Sequence, residues 1–130
     1  MYNEMPHTAR IRILLELFPD ARFIHIHRHP HDVFRSTRHQ RNTAFWYYYM
    51  QRPDRAAIDN LIISRYRALY DAYFSQRDLI SPSRLYELSF EELERNPVEQ
   101  VQRLYCALGL AGFSSFEPSL RDYVASSMTY

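Results

Sequence analysis

The segment FIHIHRHPHDVFRS, residues 23–36, decides how the fold is interpreted. Its first five residues are partly β-branched and follow a turn, which predicts a short buried strand over residues 23–27. Pro30 suits the first turn of a helix, and Asp32 suits the positive end of a helix dipole. A helix is therefore predicted from Pro30 to about His39.

The sequence before this segment predicts another helix, over residues 8–18. Apolar side chains recur there at three- and four-residue spacing and form one stripe. The stripe consists of Ile11, Leu14, Leu15 and Phe18. Pro19 ends the helix, because the residue before a proline is disfavoured in the helical conformation. Helix, strand and helix in this order form the repeating unit of a parallel α/β sheet.

The sequence after this segment predicts a long helix over residues 54–77 and, after a turn at 81–83, a second strand over 85–88. The buried face of the long helix is predicted to contain Ile58, Leu61, Ile62, Leu69 and Tyr73. Only two strands are predicted, whereas a sheet has about five or six strands on average. Either neighbouring strands lie outside this chain, which is a first indication of a fragment, or the domain is an unusually small one.

Two further helices are predicted from local signals near the C-terminus. Ser89 and Glu92 have the spacing of a capping box, which begins a short helix. Pro97 begins the next helix, and Gly109 closes it. Its apolar positions are Val101, Leu104, Tyr105 and Leu108.

The composition indicates one soluble globular domain, residues 1–130. Apolar residues make up 46% and charged residues 24% of the 130 residues. The formal net charge of +1 predicts no nucleic-acid partner. No apolar run reaches the roughly 18 residues of a membrane span, so no membrane association is expected. The single cysteine, Cys106, fits a reducing compartment, and we expect the protein to be cytoplasmic.

The histidines within residues 25–31 raise the question of a metal site. His25 and His27 would share one face of the strand, and two such imidazoles could ligate zinc. Arg28 disfavours a cation, however, and no Cys or Glu lies nearby at ligand spacing. We therefore predict no metal.

A phosphate site is the second interpretation of the same residues. Arg28 follows the strand, where α/β sheets bind ligands, and a helix start with free N–H groups follows it. Ser36 could add a hydroxyl group to the contacts with a phosphate oxygen. The alternative is an ordinary ion pair between Arg28 and Asp32, and residue chemistry alone leaves the two interpretations equal.

A resemblance to a known family separates these interpretations. The run RHPHDVFRS, residues 28–36, resembles the 3′-phosphate-binding motif of sulfotransferases, which use the sulfate donor PAPS. PHTAR at 6–10 and LLELFPDARFIH at 14–25 are similar to the lead-in of one branch of that family. LYELSFEEL at 85–93, Asn96-Pro97 and the segment 104–110 are similar to its later strand and helix pair.

The resemblance implies a fold, a donor and three site residues. The expected fold is a helix-rich, partial three-layer parallel-sheet α/β domain related to P-loop nucleotide-binding folds. Arg28 and Ser36 match the pair that holds the 3′-phosphate of PAPS. His7 lies near the position of the catalytic base, although an exposed histidine without a role is an equal alternative. The reaction implied is sulfuryl transfer to a hydroxyl or amine, with a small-molecule, glycan or peptide acceptor that the sequence does not identify.

The chain departs from the family pattern in its phosphate loop. All 16 basic residues are Arg, and the first glycine is Gly109, so the Gly- and Lys-bearing 5′-phosphosulfate loop and its strand are missing. A fragment is therefore expected, with uncovered apolar surface that favours a homo-oligomer. The alternative function is a catalytically inactive remnant that acts as a nucleotide-binding or protein-interaction module.

The aromatic run FWYYY at residues 45–49 has two interpretations. It could line an acceptor pocket or cover an adenine base, because aromatic faces stack on bases. Five large side chains in succession cannot all share one pocket, so core or partner-facing positions are the favoured interpretation.

Overall fold

The computed structural model describes residues 7–44, 50–51 and 54–127, and the aromatic run at 45–49 lies outside them. The described chain is a helix-rich α/β structure. Its strands are β1 (Phe23–His27) and β2 (Leu85–Ser89), and its helices are α1 (Ile11–Leu17), α2 (Pro30–Thr43), α3 (Arg55–Gln76), α4 (Phe90–Arg95), α5 (Pro97–Ala107) and α6 (Phe113–Ser127). Short 3₁₀ turns cover Arg77–Leu79 and Pro82–Arg84.

The chain divides into two compact units. The first consists of Met1–Pro19 and Arg28–Leu79, and the second of Asp20–His27 and Ile80–Tyr130. The first unit therefore holds α1, α2 and α3, and the second holds the sheet with α4, α5 and α6. The expectation of one domain over residues 1–130 stays a prediction.

The sheet of the second unit is parallel, as predicted. β1 and β2 pair in register, from Phe23 opposite Leu85 to His27 opposite Ser89. Parallel pairing in register places Ile24 and Ile26 on the same face as Leu88. Two strands are present in the described residues, which matches the number predicted.

The prediction that β1 is buried is wrong. Ile24 and Ile26 are 48% and 45% exposed, whereas Leu88 beside them on β2 is 4% exposed. The covered part of this face therefore lies on β2. Burial of a strand depends on what packs over it, and the short apolar pattern of residues 23–27 carries no information about that cover.

The core of the first unit forms where α3 packs against its neighbours. Ile11 of α1 and Ile58, Ile62 and Tyr73 of α3 are buried. Gln76 at the end of α3 connects this helix to the start of α1, because its side-chain oxygen accepts a hydrogen bond from the Arg12 N–H at 3.0 Å. The N–H groups in the first turn of a helix have no partner within the helix, and the capping residue Arg10 provides no side-chain acceptor for them. The Gln76 side chain therefore satisfies the Arg12 N–H.

Two positions of the predicted stripes in this unit are wrong. Phe18 lies just beyond the end of α1 and is 61% exposed, and Leu61 on α3 is 39% exposed. Phe18 is not part of the apolar stripe, because it precedes Pro19 and is therefore disfavoured in the helical conformation. α1 accordingly ends at Leu17.

The helices of the second unit begin and end as their local signals predict. The Ser89 hydroxyl accepts a hydrogen bond from the Glu92 N–H at 3.1 Å, which caps α4. Gly109 has a φ of 59° after α5, and the Leu110 N–H returns to the Tyr105 carbonyl at 2.8 Å. This Schellman arrangement requires the left-handed conformation that glycine adopts most easily.

α6 completes the second unit and contains Pro118 in its interior. Leu120 of α6 is buried, as are Leu104 and Leu108 of the α5 end. None of the helices in the described chain is both long enough and apolar enough to cross a bilayer.

Candidate functional site

The start of α2 is organised by His29, the residue that caps it. Its Nδ1 accepts a hydrogen bond from the His31 N–H at 3.3 Å, and its carbonyl accepts from the N–H groups of Asp32 and Val33. Pro30, at the first helical position, has no N–H to satisfy. The expected free N–H groups of this helix start are therefore already occupied within the chain. Any anion here is held by side chains and by the helix dipole.

An open cleft of about 590 Å³ lies along α2 in the first unit. It brings together both residues that the sequence predicts for a phosphate, Arg28 and Ser36. The side chains lining it are Arg28, Asp32, Arg35, Ser36, Arg38, His39 and Asn42. The two predicted ligands therefore share one cavity, with a row of polar side chains that extends beyond them.

The helical period explains why these side chains share one cleft. Asp32, Ser36 and His39 follow the spacing that places residues on one face of an α-helix. Val33 and Phe34 lie on the other side of α2 and are half-buried. The packing of α2 in the first unit thus leaves the polar row exposed.

The charge of this cleft is predominantly positive. Three arginines line it, together with a single carboxylate, that of Asp32. Arg38 Nε also lies 3.2 Å from Asp59 Oδ1 on α3, at ion-pair distance. That oxygen is buried and has no well-oriented hydrogen bond from a described group, so the contact is electrostatic rather than a directed hydrogen bond. Guanidinium groups on one wall favour phosphate or sulfate as the ligand.

His7 is exposed in the turn before α1, where its carbonyl accepts a hydrogen bond from the Arg10 N–H at 3.0 Å. It is not among the side chains that line the cleft of Arg28 and Ser36. Its role as a catalytic base therefore stays a prediction.

The two strand histidines share a face, as their spacing predicts. The ring centroids of His25 and His27 lie 6.1 Å apart. Over the described ranges, no group of three or more His, Cys, Asp or Glu side chains could hold a metal ion.

Four cleft residues were not predicted from the sequence: Arg35, Arg38, His39 and Asn42. The available signal was the continuation of the helical spacing from Asp32 and Ser36 into the second and third turns of α2. The resemblance to the 3′-phosphate motif ends at Ser36, whereas the cleft continues along the same face of α2 to Asn42.

A second cleft, of about 350 Å³, lies in the second unit between the α4 end, α5 and α6. Two of its three charged lining side chains, Glu99 and Arg121, lie in ion pairs. Arg121 pairs with Glu117 at 2.6 Å, and Glu99, which lines this cleft, pairs with Arg103 at 2.5 Å. The cleft on α2 is the better candidate for an anionic ligand.

Comparison with known proteins gives a consistent result. The family model described as "Sulfotransferase family" matches residues 2–115. The chain is 40% identical over 124 residues to omega-hydroxy-beta-dihydromenaquinone-9 sulfotransferases of Mycobacterium bovis and Mycobacterium tuberculosis. The match covers 95% of this chain and 32% of each relative, so the chain spans about a third of their length. No solved structure matches at a significant level. From the family match over most of its length, the chain belongs to the sulfotransferase family.

Proposed function

We propose that this chain contributes the 3′-phosphate-binding part of a sulfotransferase that transfers a sulfuryl group from PAPS. Arg28 and Ser36 hold the 3′-phosphate: Arg28 through its planar guanidinium fork and Ser36 through its hydroxyl. The observation that carries this proposal is their shared position on the wall of one positively charged cleft. We further propose that residues 1–130 form part of a single three-layer domain related to P-loop folds, and that the protein acts in the cytoplasm.

The reaction proposed is transfer to a hydroxyl group. The acceptor oxygen forms a bond to sulfur as the bond from sulfur to the 5′-phosphate breaks, and adenosine 3′,5′-bisphosphate leaves. His7 takes the acceptor proton. The remaining contribution of the protein is positioning and charge neutralisation, as in phosphoryl transfer.

The names of the relatives support a hydroxyl rather than an amine as the acceptor group. The two mycobacterial proteins are named for an omega-hydroxy substrate. Arg28 and Ser36 contact the donor and not the acceptor in this proposal. No metal takes part in the proposed reaction.

A second candidate function is binding without catalysis. The chain has no Lys, and its first glycine is Gly109, so these 130 residues do not themselves supply a Gly–Lys loop for the 5′-phosphosulfate. Hydrogen-bond donors that stabilise the transition state contribute several kcal/mol each, so the lack of this loop would weaken catalysis. A nucleotide-binding or protein-interaction module is therefore the alternative for this chain acting alone.

Calorimetric titration with adenosine 3′,5′-bisphosphate tests the donor site. We expect the native chain to bind and Arg28→Ala to lose about tenfold or more in affinity, because charged hydrogen bonds to phosphate are the strong ones. Ser36→Ala should lose a smaller factor. Arg67→Ala is the matched control, since Arg67 is an exposed arginine of α3 that lines neither cleft.

The outcomes of this titration separate the two candidates. Binding that falls in Arg28→Ala but not in Arg67→Ala supports the donor site. A native chain that is folded by circular dichroism and binds no bisphosphate rules out the proposed donor site and leaves protein interaction as the function. Binding without sulfuryl transfer to any hydroxyl acceptor supports the nucleotide-binding module.

A further inference from the structure

The cleft on α2 holds more positive charge than one phosphate group requires. Arg28 and Ser36 account for the proposed 3′-phosphate contact at one end of it. Arg35, Arg38 and His39 line the same cleft and have no part in that contact. They therefore need an explanation of their own.

The positions of these three residues on the helix place them together. Arg35, Arg38 and His39 are three and four residues apart, the spacing of neighbours on one helix face. Arg35 lies one residue before Ser36, and Arg38 and His39 lie two and three residues after it, so the common direction of these three side chains is rotated around the helix axis from that of Ser36. A ligand group bound by these side chains would thus lie next to the first phosphate without overlapping it.

The local charges favour a second anion at this place. Arg35 is exposed, and it forms no ion pair with a carboxylate of the described residues. Arg38 is partly neutralised by Asp59, but its side chain is still 43% exposed. His39 and Asn42 add short polar groups along the wall. Three arginines in this concave wall outnumber its one carboxylate, that of Asp32, and an excess of guanidinium groups attracts a tetrahedral oxyanion more than a neutral group.

We propose that Arg35, Arg38 and His39 form a second anion subsite for a phosphate or sulfate group, beside the 3′-phosphate site on the same cleft wall. This subsite rests on the proposed function in one respect, namely that the anion at Arg28 and Ser36 is the 3′-phosphate of PAPS. Two sources have the required chemistry: the 5′ end of the donor, or an acidic group on the acceptor.

Two titrations test the subsite and distinguish these sources. The first compares adenosine 3′-monophosphate with adenosine 3′,5′-bisphosphate on the native chain, Arg35→Ala, Arg38→Ala and the control Arg67→Ala. If the donor supplies the second anion, Arg35→Ala weakens the bisphosphate about tenfold and leaves the monophosphate unchanged. The effect of Arg38→Ala should be smaller, because removing Arg38 also leaves Asp59 without its neighbouring charge.

The second titration adds inorganic phosphate to the chain saturated with adenosine 3′-monophosphate, and follows backbone amide chemical shifts. Saturable shifts at residues 35–42 that vanish in Arg35→Ala but persist in Arg67→Ala, with the nucleotide still bound, identify a second anion from outside the donor. If the monophosphate does not bind, the proposed function fails, and phosphate is titrated into the free chain instead. The same shifts then still support the subsite.

The subsite is overturned if Arg35→Ala equals Arg67→Ala in both titrations. It is also overturned if inorganic phosphate shifts residues 28–36 alone and the second phosphate of the nucleotide brings no gain in affinity.

Discussion

At the scale of single residues, the environment of Tyr70 on α3 shifts the pKa of its phenol. Its ring centroid lies 4.6 Å from that of Tyr66, one turn earlier on α3. Burial, the side-chain hydrogen bond with Tyr66 and the charge of that neighbour together raise the pKa of Tyr70 from 10.0 to about 12, and burial contributes most. The neutral phenol is thus the form that the folded chain favours.

The shift of Tyr70 predicts a loss of stability in alkali. Between pH 10 and about 12 the folded chain keeps a proton that the unfolded chain releases, so the free energy of unfolding falls as pH rises through that window. Urea unfolding at pH 9 and pH 11 should show a smaller loss for Tyr70→Phe than for the native chain. Tyr123→Phe is the control, since Tyr123 is 70% exposed. An equal loss in all three proteins would contradict the assignment.

The candidate site could be predicted in part from single residues. Arg28 and Ser36 stand in a motif whose spacing indicates a phosphate, and the structure brings them into one cleft. Arg35 and Arg38 carry no such signal, because an arginine on a helix is ordinarily a solvated side chain. Their helical spacing from Asp32 and Ser36 places them on the same side of α2, but the shape of the surrounding surface is needed to show that this side forms a cleft.

At the scale of elements, local signals predict where helices begin and end. Ser89 and Glu92 mark the start of α4, and Gly109 marks the end of α5. α6 was not predicted, since Pro118 lies inside it and a proline ordinarily ends or kinks a helix. Its existence depends on the tertiary packing of residues such as Leu120, which a local pattern does not show.

The Ser89 cap gives a prediction at this scale. Ser89→Ala removes the acceptor of the Glu92 N–H and should lower the free energy of unfolding by about 1 kcal/mol. Ser89→Thr keeps the oxygen and should lose less. Chemical denaturation measures both variants, with Ser119→Ala on an exposed position of α6 as the control. A loss in Ser89→Ala no larger than in Ser119→Ala would show that the cap contributes nothing.

At the scale of the whole molecule, the sequence predicts the parallel sheet and its two strands but not the exposure of β1. Ile24 and Ile26 form an apolar strip on one face of the sheet, and both are about half exposed. Large exposed apolar side chains side by side favour association. The self-association expected from the sequence therefore has a specific surface to test.

Size-exclusion chromatography with light scattering over a range of concentrations tests that association. We expect the apparent mass to rise above that of a monomer with concentration, and the rise to weaken in the double variant Ile24→Thr, Ile26→Thr. Ile63→Thr is the matched control, because Ile63 on α3 is 46% exposed. A native chain that stays monomeric, or an equal effect of Ile63→Thr, would contradict the prediction.

The path of the chain through its two units has a practical consequence. Each unit consists of two separate segments, because Asp20–His27 belongs with Ile80–Tyr130. A single cut between Leu79 and Ile80 therefore leaves the first unit whole and divides the second: β1 stays in the N-terminal piece, and β2 lies in the C-terminal piece with α4, α5 and α6. The five residue pairs of the parallel ladder would then join β1 to the rest of the second unit without a peptide bond. This junction is accordingly the natural place to divide the gene into two halves for a complementation reporter.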